Sequence, residues 1–530
     1  MREKGTLRKR AVLALGACIY ALLFALCSQI DAVGTVDGPT ALVRFALAFL
    51  PVLVVEHVLM ERVLPRTVLS APETHEGGAW RFSAFAFAAL AACYGVMFLI
   101  HYPGSFMYDT QWQVFQIARN RYEMFQPLLH TLFIRACLSM YDVMGSFEKC
   151  AALYSVVQLT IFAACFSQVC ASVRRMYGKR AACISLAFFC LYPSHMAFAS
   201  NCTKDGLFSV FFALFFALCF EDVLHGGLTW RRRALCLVAG ALACLLRNNM
   251  IYALAVWMVL LLLRGRRHLR IAAYALLAIA LCFGINRGMQ RAINAGGGNK
   301  VEMLSVPIQQ LSRARLERPD CFSEDEKALM DRVFVDTYRG TPEPLYVHYE
   351  PTLADPVKNY MSERQVMEPW KDLVRMWINV GKRCPGVYLD AFLNLALPSL
   401  YPYSEYKVAQ PYIETGLQPG VVTAPFGYPP MTQPGRFEGI RNWMYEHIFS
   451  TGADDIPVIR WLFNTGAVYW LLLLIVLFEL YSGCYDRLAL LLLPALLWGT
   501  FLLGPVMQGR YLYPFICVLP LFVFRRINDK

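Results

Sequence analysis

Residues 127–145 read PLLHTLFIRACLSMYDVMG. The stretch is about as long and as apolar as a membrane span, and it precedes most of the basic turns of the chain. If it crosses a bilayer, the run RRMYGKR at 174–180 and every later basic loop lie outside. If it lies flat, all of them lie inside. Lys and Arg concentrate in cytoplasmic loops, which favours the flat reading. Arg135, Ser139 and Asp142 also share one helical face at about 100° per residue. The stretch therefore reads as a helix lying in the external interface.

Around it, apolar runs of about twenty residues recur, each long enough to cross a ~30 Å hydrocarbon core. A length of 530 residues would ordinarily suggest three or four soluble domains, but 57% hydrophobic and 17% charged residues overrule that. Mean hydropathy is +0.42. The expected fold class is an all-α polytopic membrane protein with about 12 transmembrane helices. Spans are expected at 11–30, 41–60, 82–100, 150–172, 181–199, 206–223, 234–247, 249–263, 270–287, 459–480, 487–504 and 511–524. Ala11–Ile30 is too long for the apolar region of a signal peptide and reads as a retained span. Three regions follow: an N-terminal membrane module (1–287), an external domain (288–458) and a C-terminal membrane module (459–530).

Charge supports this division. Residues 288–458 carry 17 basic and 21 acidic residues, the remainder 33 and 17. The basic excess sits in MREKGTLRKR at the start, RRMYGKR, WRRR at 230–233, RGRRHLR at 264–270 and RRIND at 525–529, each beside an apolar run. This is a topology signal and excludes nucleic acid as the partner. Both termini are then expected in the cytoplasm. Most of the 18 cysteines lie in apolar runs, where Cys acts as a small hydrophobe, and none has metal-site spacing. Cys321 and Cys384 fall in the external region, and their pairing is left open. In that region, Ser323 and Glu326 have capping-box spacing. Asp355-Pro356 reads as the start of a second helix, and 398–435, rich in Pro, Tyr and Gly, as irregular. No internal repeat is evident, which weakens a transporter reading.

The flat reading of 127–145 puts five polar clusters on one side: HYPGSFMYDTQWQ (101–113), QPLLH (126–130), NCTKD (201–205), RNN (247–249) and MQGRY (507–511). Asp109 is a carboxylate near the lipid surface, in a loop with Tyr108 and Trp112 as interfacial aromatics, and is suited to be a general base toward a hydroxyl. Lys204, at the start of a span, is suited to a phosphate contact as a point charge. Arg247, between two apolar runs, costs ~2.5–3.5 kcal/mol on insertion scales and calls for a partner or a task. Arg510 is the lone charge between the last two spans, next to Gly509. Three cations and a carboxylate on one face suit an anionic leaving group.

These clusters resemble the GT-C superfamily of membrane glycosyltransferases, which includes protein mannosyltransferases and the lipid A aminoarabinose transferase. The resemblance covers about 82–287 and the closing spans. It rests on the acid-bearing loop after an early span (Asp109), the turn Gln126-Pro127-Leu128-Leu129-His130 before an interfacial helix, and Tyr192-Pro193-Ser194 ending a span. The chain is also similar to an uncharacterised bacterial branch with YPG…D, TKD, RNN, a Pro-Ile-Gln-Gln…Arg stretch (Pro307–Arg313) and GRY. The resemblance implies a polyprenyl-phosphate-linked sugar as donor, an envelope glycan, lipid or protein as acceptor, and inversion at the sugar carbon. It makes Asp109 the base and gives the phosphate to Lys204, Arg247 and Arg510, with His130, Asn248 and Gln309 as further substrate contacts. The paired acids of the mannosyltransferases are missing, since Thr110 follows Asp109, and so is the second Pro of the turn. Donor type and metal dependence therefore do not carry over: no cofactor is assigned and a divalent metal is left open. The alternatives are a lipid-linked polysaccharide polymerase or flippase, and a non-catalytic envelope assembly protein.

Overall fold

The structure is a computed structural model describing residues 2–67, 78–106, 108–336, 343–404, 420–449 and 461–524, with Ile456. The described chain is almost wholly helical. The first module holds α1 (Arg2–Val33), α2 (Gly38–Val58), α3 (Ala79–Ile100), α4 (Tyr108–Ala118), α5 (Leu128–Leu138), α6 (Tyr141–Met144) and α7 (Phe147–Leu191). It continues through α8 (Pro193–Ser200), α9 (Lys204–His225), α10 (Trp230–Leu246), α11 (Asn248–Leu263) and α12 (Leu269–Ala292). One short parallel pairing joins β1 (Ser105–Phe106) to β2 (Asn201–Cys202). Among the described residues, seven helices are long and apolar enough to cross a membrane, beginning at Thr6, Gly38, Ala79, Phe147, Lys204, Leu269 and Thr465.

The stretch 127–145 does not form one long helix. It breaks into the 11-residue α5 and the single turn of α6, which ends at Gly145 in the left-handed region (φ 72°). Eleven residues rise ~16 Å, about half a hydrocarbon core. Arg135 lies over the Tyr122 ring, 5.5 Å from its centroid.

The expected span 150–172 and the first part of 181–199 lie within α7, which departs from helical geometry at Gly178 (φ 89°, ψ 179°). The rings of Phe166 and Phe189 stack 4.2 Å apart, whereas a straight helix would separate them by ~34 Å. The chain therefore folds back at RRMYGKR, and glycine supplies the backbone that the reversal requires. The following span is interrupted at Tyr192, where Pro193 starts α8. Helix α9 is the central one, packed by α7, α10 and the C-terminal helices, with its apolar side chains almost wholly buried.

The basic turns gather at one end of the bundle and meet buried acids there. Arg175 and Arg232 both bond Glu221, Arg270 lies 3.2 Å from Asp222, and Arg487 lies 2.7 Å from Glu479. The stretch 525–529 lies outside the described residues.

The loop region has its own apolar core, built by α13 (Ser305–Glu317), α14 (Glu324–Val333), α15 (Asp355–Lys358), α16 (Glu363–Met367), α17 (Trp370–Arg383) and the start of α18 (Pro385–Leu400). The Ser323–Glu326 capping box forms as expected. The helix expected from Asp355 onward is instead three pieces, the first with Asp355 as its first helical residue and the last beginning after Pro369. Proline's ring and missing N–H account for the break at 369. Cys321 and Cys384 are both buried free thiols. Of the stretch expected to be irregular, 405–419 lie outside the described residues, and 420–426 form short turns, with α19 (Gly420–Thr423) packed on α4.

The second half of α18 leaves this core. Leu393, Ala396, Leu397 and Leu400 pack against Cys27 and Ile30 of α1. Asn394 bonds Gly34 O (2.9 Å), and Asp390 accepts from Val36 N (3.0 Å). The chain closes with α20 (Glu438–Met444), α21 (Thr465–Ser482), α22 (Tyr485–Phe501), α23 (Gly509–Val518) and α24 (Pro520–Val523).

Candidate functional site

The site is assembled where α3 ends. After His101 the chain turns through a cis Tyr102-Pro103 bond and passes Gly104 at φ +122°, where an added Cβ would overlap Ser155 Oγ and lie 3.1 Å from Ser200 O. Only glycine lets the backbone run this close to α7 and α8. Ser155 Oγ donates to Pro103 O (2.9 Å). The next two residues pair with β2, with Ser105 opposite Asn201 and Phe106 opposite Cys202. Thr110 Oγ1 extends the junction to Cys202 O (2.8 Å). Asp109, expected in a loop, instead stands in the first turn of α4, which is thereby laid against the segment that starts α9, where Thr203 caps the helix by accepting from Asp205 N. Trp112 is exposed, while the Tyr108 side chain lies outside the described residues.

This junction brings the expected charges together. Asp109 Oδ2 lies 3.1 Å from Lys204 Nζ and 2.7 Å from an Arg510 terminal nitrogen. Lys204 also donates to Gln126 Oε1, in the turn before α5. Arg510 Nε lies 3.6 Å from Asp205 Oδ2, and Asp205 Oδ1 is paired with Arg247. The result is a chain of alternating charge: Lys204, Asp109, Arg510, Asp205, Arg247. Its side chains are 1–16% exposed. Three cations against two carboxylates leave one net positive charge. Arg247 is the single residue linking α10 to α11, in extended conformation. Its guanidinium sits over the rings of Tyr511 (4.4 Å) and Phe501 (4.7 Å), and its buried Nε has no hydrogen-bond partner among the described residues.

Burial opposes ionisation of Asp109, but Arg510 and then Lys204 outweigh it and hold the carboxyl well below the usual carboxylate range. Asp109 is thus firmly ionised and, while so paired, a weak base. Each carboxylate of the site already bonds cationic side chains, a setting that does not suit a divalent metal. Among the described residues no group of three or more His, Cys, Asp or Glu converges.

The three weaker candidates fall outside the ion-pair chain. His130 is buried behind it, with Nδ1 2.8 Å from Gln113 Oε1 and Nε2 2.8 Å from the Tyr154 hydroxyl. The Tyr154 hydroxyl also lies 2.7 Å from Gln158 Oε1, and the Gln158 amide donates to Asn201 O (2.6 Å) in β2. Burial, then the charge of Lys204, push the His130 pKa down to about 3. The neutral ring thus ties α4, α5 and α7 to the strand beneath Lys204. Gln309 is wholly buried in α13 and donates to Glu350 O (2.6 Å). That loop in turn bonds the approach to α23, with Ala354 N donating to Pro505 O (2.8 Å) and Leu353 bridged to Val506. Asn248 is exposed at the first turn of α11 and shares no hydrogen bond with the cluster; its neighbour Asn249 reaches Thr500 O (3.3 Å) instead.

Sequence reasoning passed over Asp205. Its partner Arg247 is 42 positions away, and as sequence neighbours Lys204 and Asp205 are not expected to face one another on a helix. In the fold Lys204 faces the Asp109 carboxylate, whereas Asp205 faces Arg247 and Arg510. The polar helix-start Thr-Lys-Asp was the available signal.

A family model described as a family of unknown function (DUF6020) matches residues 125–530, well over half of the chain. The chain belongs to DUF6020. The DUF6020 match takes in Gln126, Lys204, Asp205, Arg247 and Arg510, and begins after Asp109. Comparison with curated proteins and with solved structures finds no match.

Proposed function

We propose that the protein is an integral membrane glycosyltransferase of GT-C type, moving a sugar from a polyprenyl-phosphate donor to an envelope acceptor on the external face. In this reading the chain makes about twelve spans, both termini are cytoplasmic, and 288–458 lie outside. One observation carries it: a largely buried, net-positive cluster at the ends of apolar helices, with a carboxylate in contact with two of its three cations. A lipid-linked phosphate presents its charge at that depth, and donors fixed in a low-dielectric site stabilise developing charge strongly.

The acceptor oxygen would attack the sugar's anomeric carbon as the bond from that carbon to the phosphate oxygen breaks. The electron pair leaves with the phosphate, whose charge Lys204, Arg247 and Arg510 offset. The acceptor's proton passes to Asp109. Attack opposite the leaving group inverts the carbon. Arg247 and Arg510 present planar guanidinium donors suited to phosphate oxygens, and Gln126 fixes the Lys204 ammonium. His130 and Gln309 act through the backbone segments they hold.

The test is binding of a lipid phosphate to purified protein in nanodiscs, followed by sugar transfer from a lipid-linked donor. Arg247→Gln and Lys204→Gln should each weaken lipid-phosphate binding by about tenfold or more, since a charged hydrogen bond is worth about 1.5–3 kcal/mol. Unchanged binding in both variants removes the reading.

A further inference from the structure

Asp109 Oδ2 is the common acceptor of Lys204 (3.1 Å) and Arg510 (2.7 Å). These are also two of the three cations available to a phosphate. An anion that bonds them must take N–H donors from Asp109 or stand beside it at like-charge contact, which a site this buried disfavours. Asp205 is placed differently. It is 1% exposed, is paired with Arg247, and lies 3.6 Å from the Nε edge of Arg510. Arg510 is therefore held on one edge by Asp205 while its terminal nitrogen serves Asp109.

We propose that the donor phosphate and the Asp109 carboxylate exchange places on Lys204 and Arg510, so that donor binding itself releases Asp109 to act as base. The inference rests on the glycosyl-transfer reading of this site. Before exchange, two cations stabilise the carboxylate and make it a poor proton acceptor. After exchange, the carboxylate faces the neutral His130 from α5 and the phosphate on the two cations from α9 and α23. Loss of both pairs, the nearby negative charge and burial all raise its proton affinity. The acceptor hydroxyl is then deprotonated only when a donor is in place. In the transfer step its oxygen bonds the anomeric carbon, the carbon–phosphate-oxygen bond breaks toward phosphate, and the proton ends on Asp109.

The exchange predicts that removing the base improves binding. With farnesyl phosphate as probe and purified protein in nanodiscs, Asp109→Asn should bind about tenfold tighter than wild type while losing ~10²–10⁴-fold of sugar transfer. Asp109→Glu, which keeps the charge, should bind like wild type. Because Asp109→Asn raises the cluster's net charge from one positive to two, a second variant, Lys204→Gln/Asp109→Asn, restores the wild-type net charge. Lys204→Gln/Asp109→Asn should bind about tenfold tighter than Lys204→Gln alone. Wild-type binding with equal or weaker binding in both Asp109→Asn variants overturns the exchange and leaves the glycosyl-transfer reading standing. No binding by the wild type overturns both.

Discussion

Replacing Asp205 by Asn tests whether the cluster is held as an ion-pair chain or merely packed. The change keeps shape and removes one charge at a side chain 1% exposed, facing Arg247 at 12%. Breaking a buried pair from one side costs about 3–5 kcal/mol, because a charge is left without compensation. Arg247 keeps the faces of Tyr511 and Phe501, worth up to about 2 kcal/mol when desolvated, so the lower end, about 3 kcal/mol, is expected. The companion variant Arg247→Gln should cost a similar amount, since Asp205 then retains only Arg510 at 3.6 Å. The double variant removes both charges and should recover at least about 1.5 kcal/mol relative to the sum of the singles, within the range of direct pair couplings. The described cysteines are mostly buried, so a thiol-reactive dye reports unfolding during a thermal ramp in detergent. Singles melting clearly below wild type, with the double above the additive expectation, support the chain. A double variant at the additive value refutes it.

Three further outcomes are expected. Gly104→Ala should lower the melting temperature and weaken lipid-phosphate binding. A side chain at φ +122° is strained by ~1–2 kcal/mol and would also overlap Ser155; a fully active, wild-type-stable variant contradicts the close approach described. Lys179→Cys, at the exposed turn within α7, in a background with the exposed Cys18 and Cys183 replaced by Ser, should resist an impermeant maleimide in intact cells and label after permeabilisation. Label from outside inverts the proposed topology. Burial raises the Glu326 pKa, but hydrogen bonds from Arg383 and the Ser323 backbone outweigh it and leave it lowered. Its stabilising share is complete above the unfolded pKa near ~4.3 and is lost as pH falls through the lowered folded value. Thermal melts from pH 7 to 3 should therefore show Glu326→Gln less stable at pH 7 and converging with wild type in acid; a constant gap would contradict the assignment.

Much of the helical order is legible in local sequence. Apolar length marks the long helices, and the basic run at 174–180 marks the fold-back in α7. The single helical face expected for Arg135, Ser139 and Asp142 does not form, because 127–145 breaks after Leu138 into α5 and α6. Lys204, Arg247 and Arg510 stand out because charge is costly among apolar neighbours. What joins them is not local. The β1–β2 pairing links Ser105 to Asn201 through four backbone positions that carry no distinctive residues. The pairing of Asp205 with Arg247 depends on how α9 packs against α10. The division of α17 from the preceding short helices was misread because helical periodicity continues on both sides of Pro369. The seating of α18 between α1 and the loop core was hidden because Leu393–Leu400 is apolar enough for either environment.

The one-residue joint at Arg247 sets the rotational phase of α11. Each residue turns a helix by about 100°. Trp257, ten residues further on, is wholly buried with its indole N–H on Ala489 O (2.7 Å), while Tyr252, Val256 and Val259 of the same helix are exposed. Inserting a single residue after Arg247 would either rotate that arrangement, carrying Trp257 out of its slot, or push the guanidinium off the rings of Tyr511 and Phe501. The joint thus tolerates changes of side chain far better than changes of length, and indel tolerance across 246–249 becomes a gauge of how rigidly the cluster is indexed to the bundle.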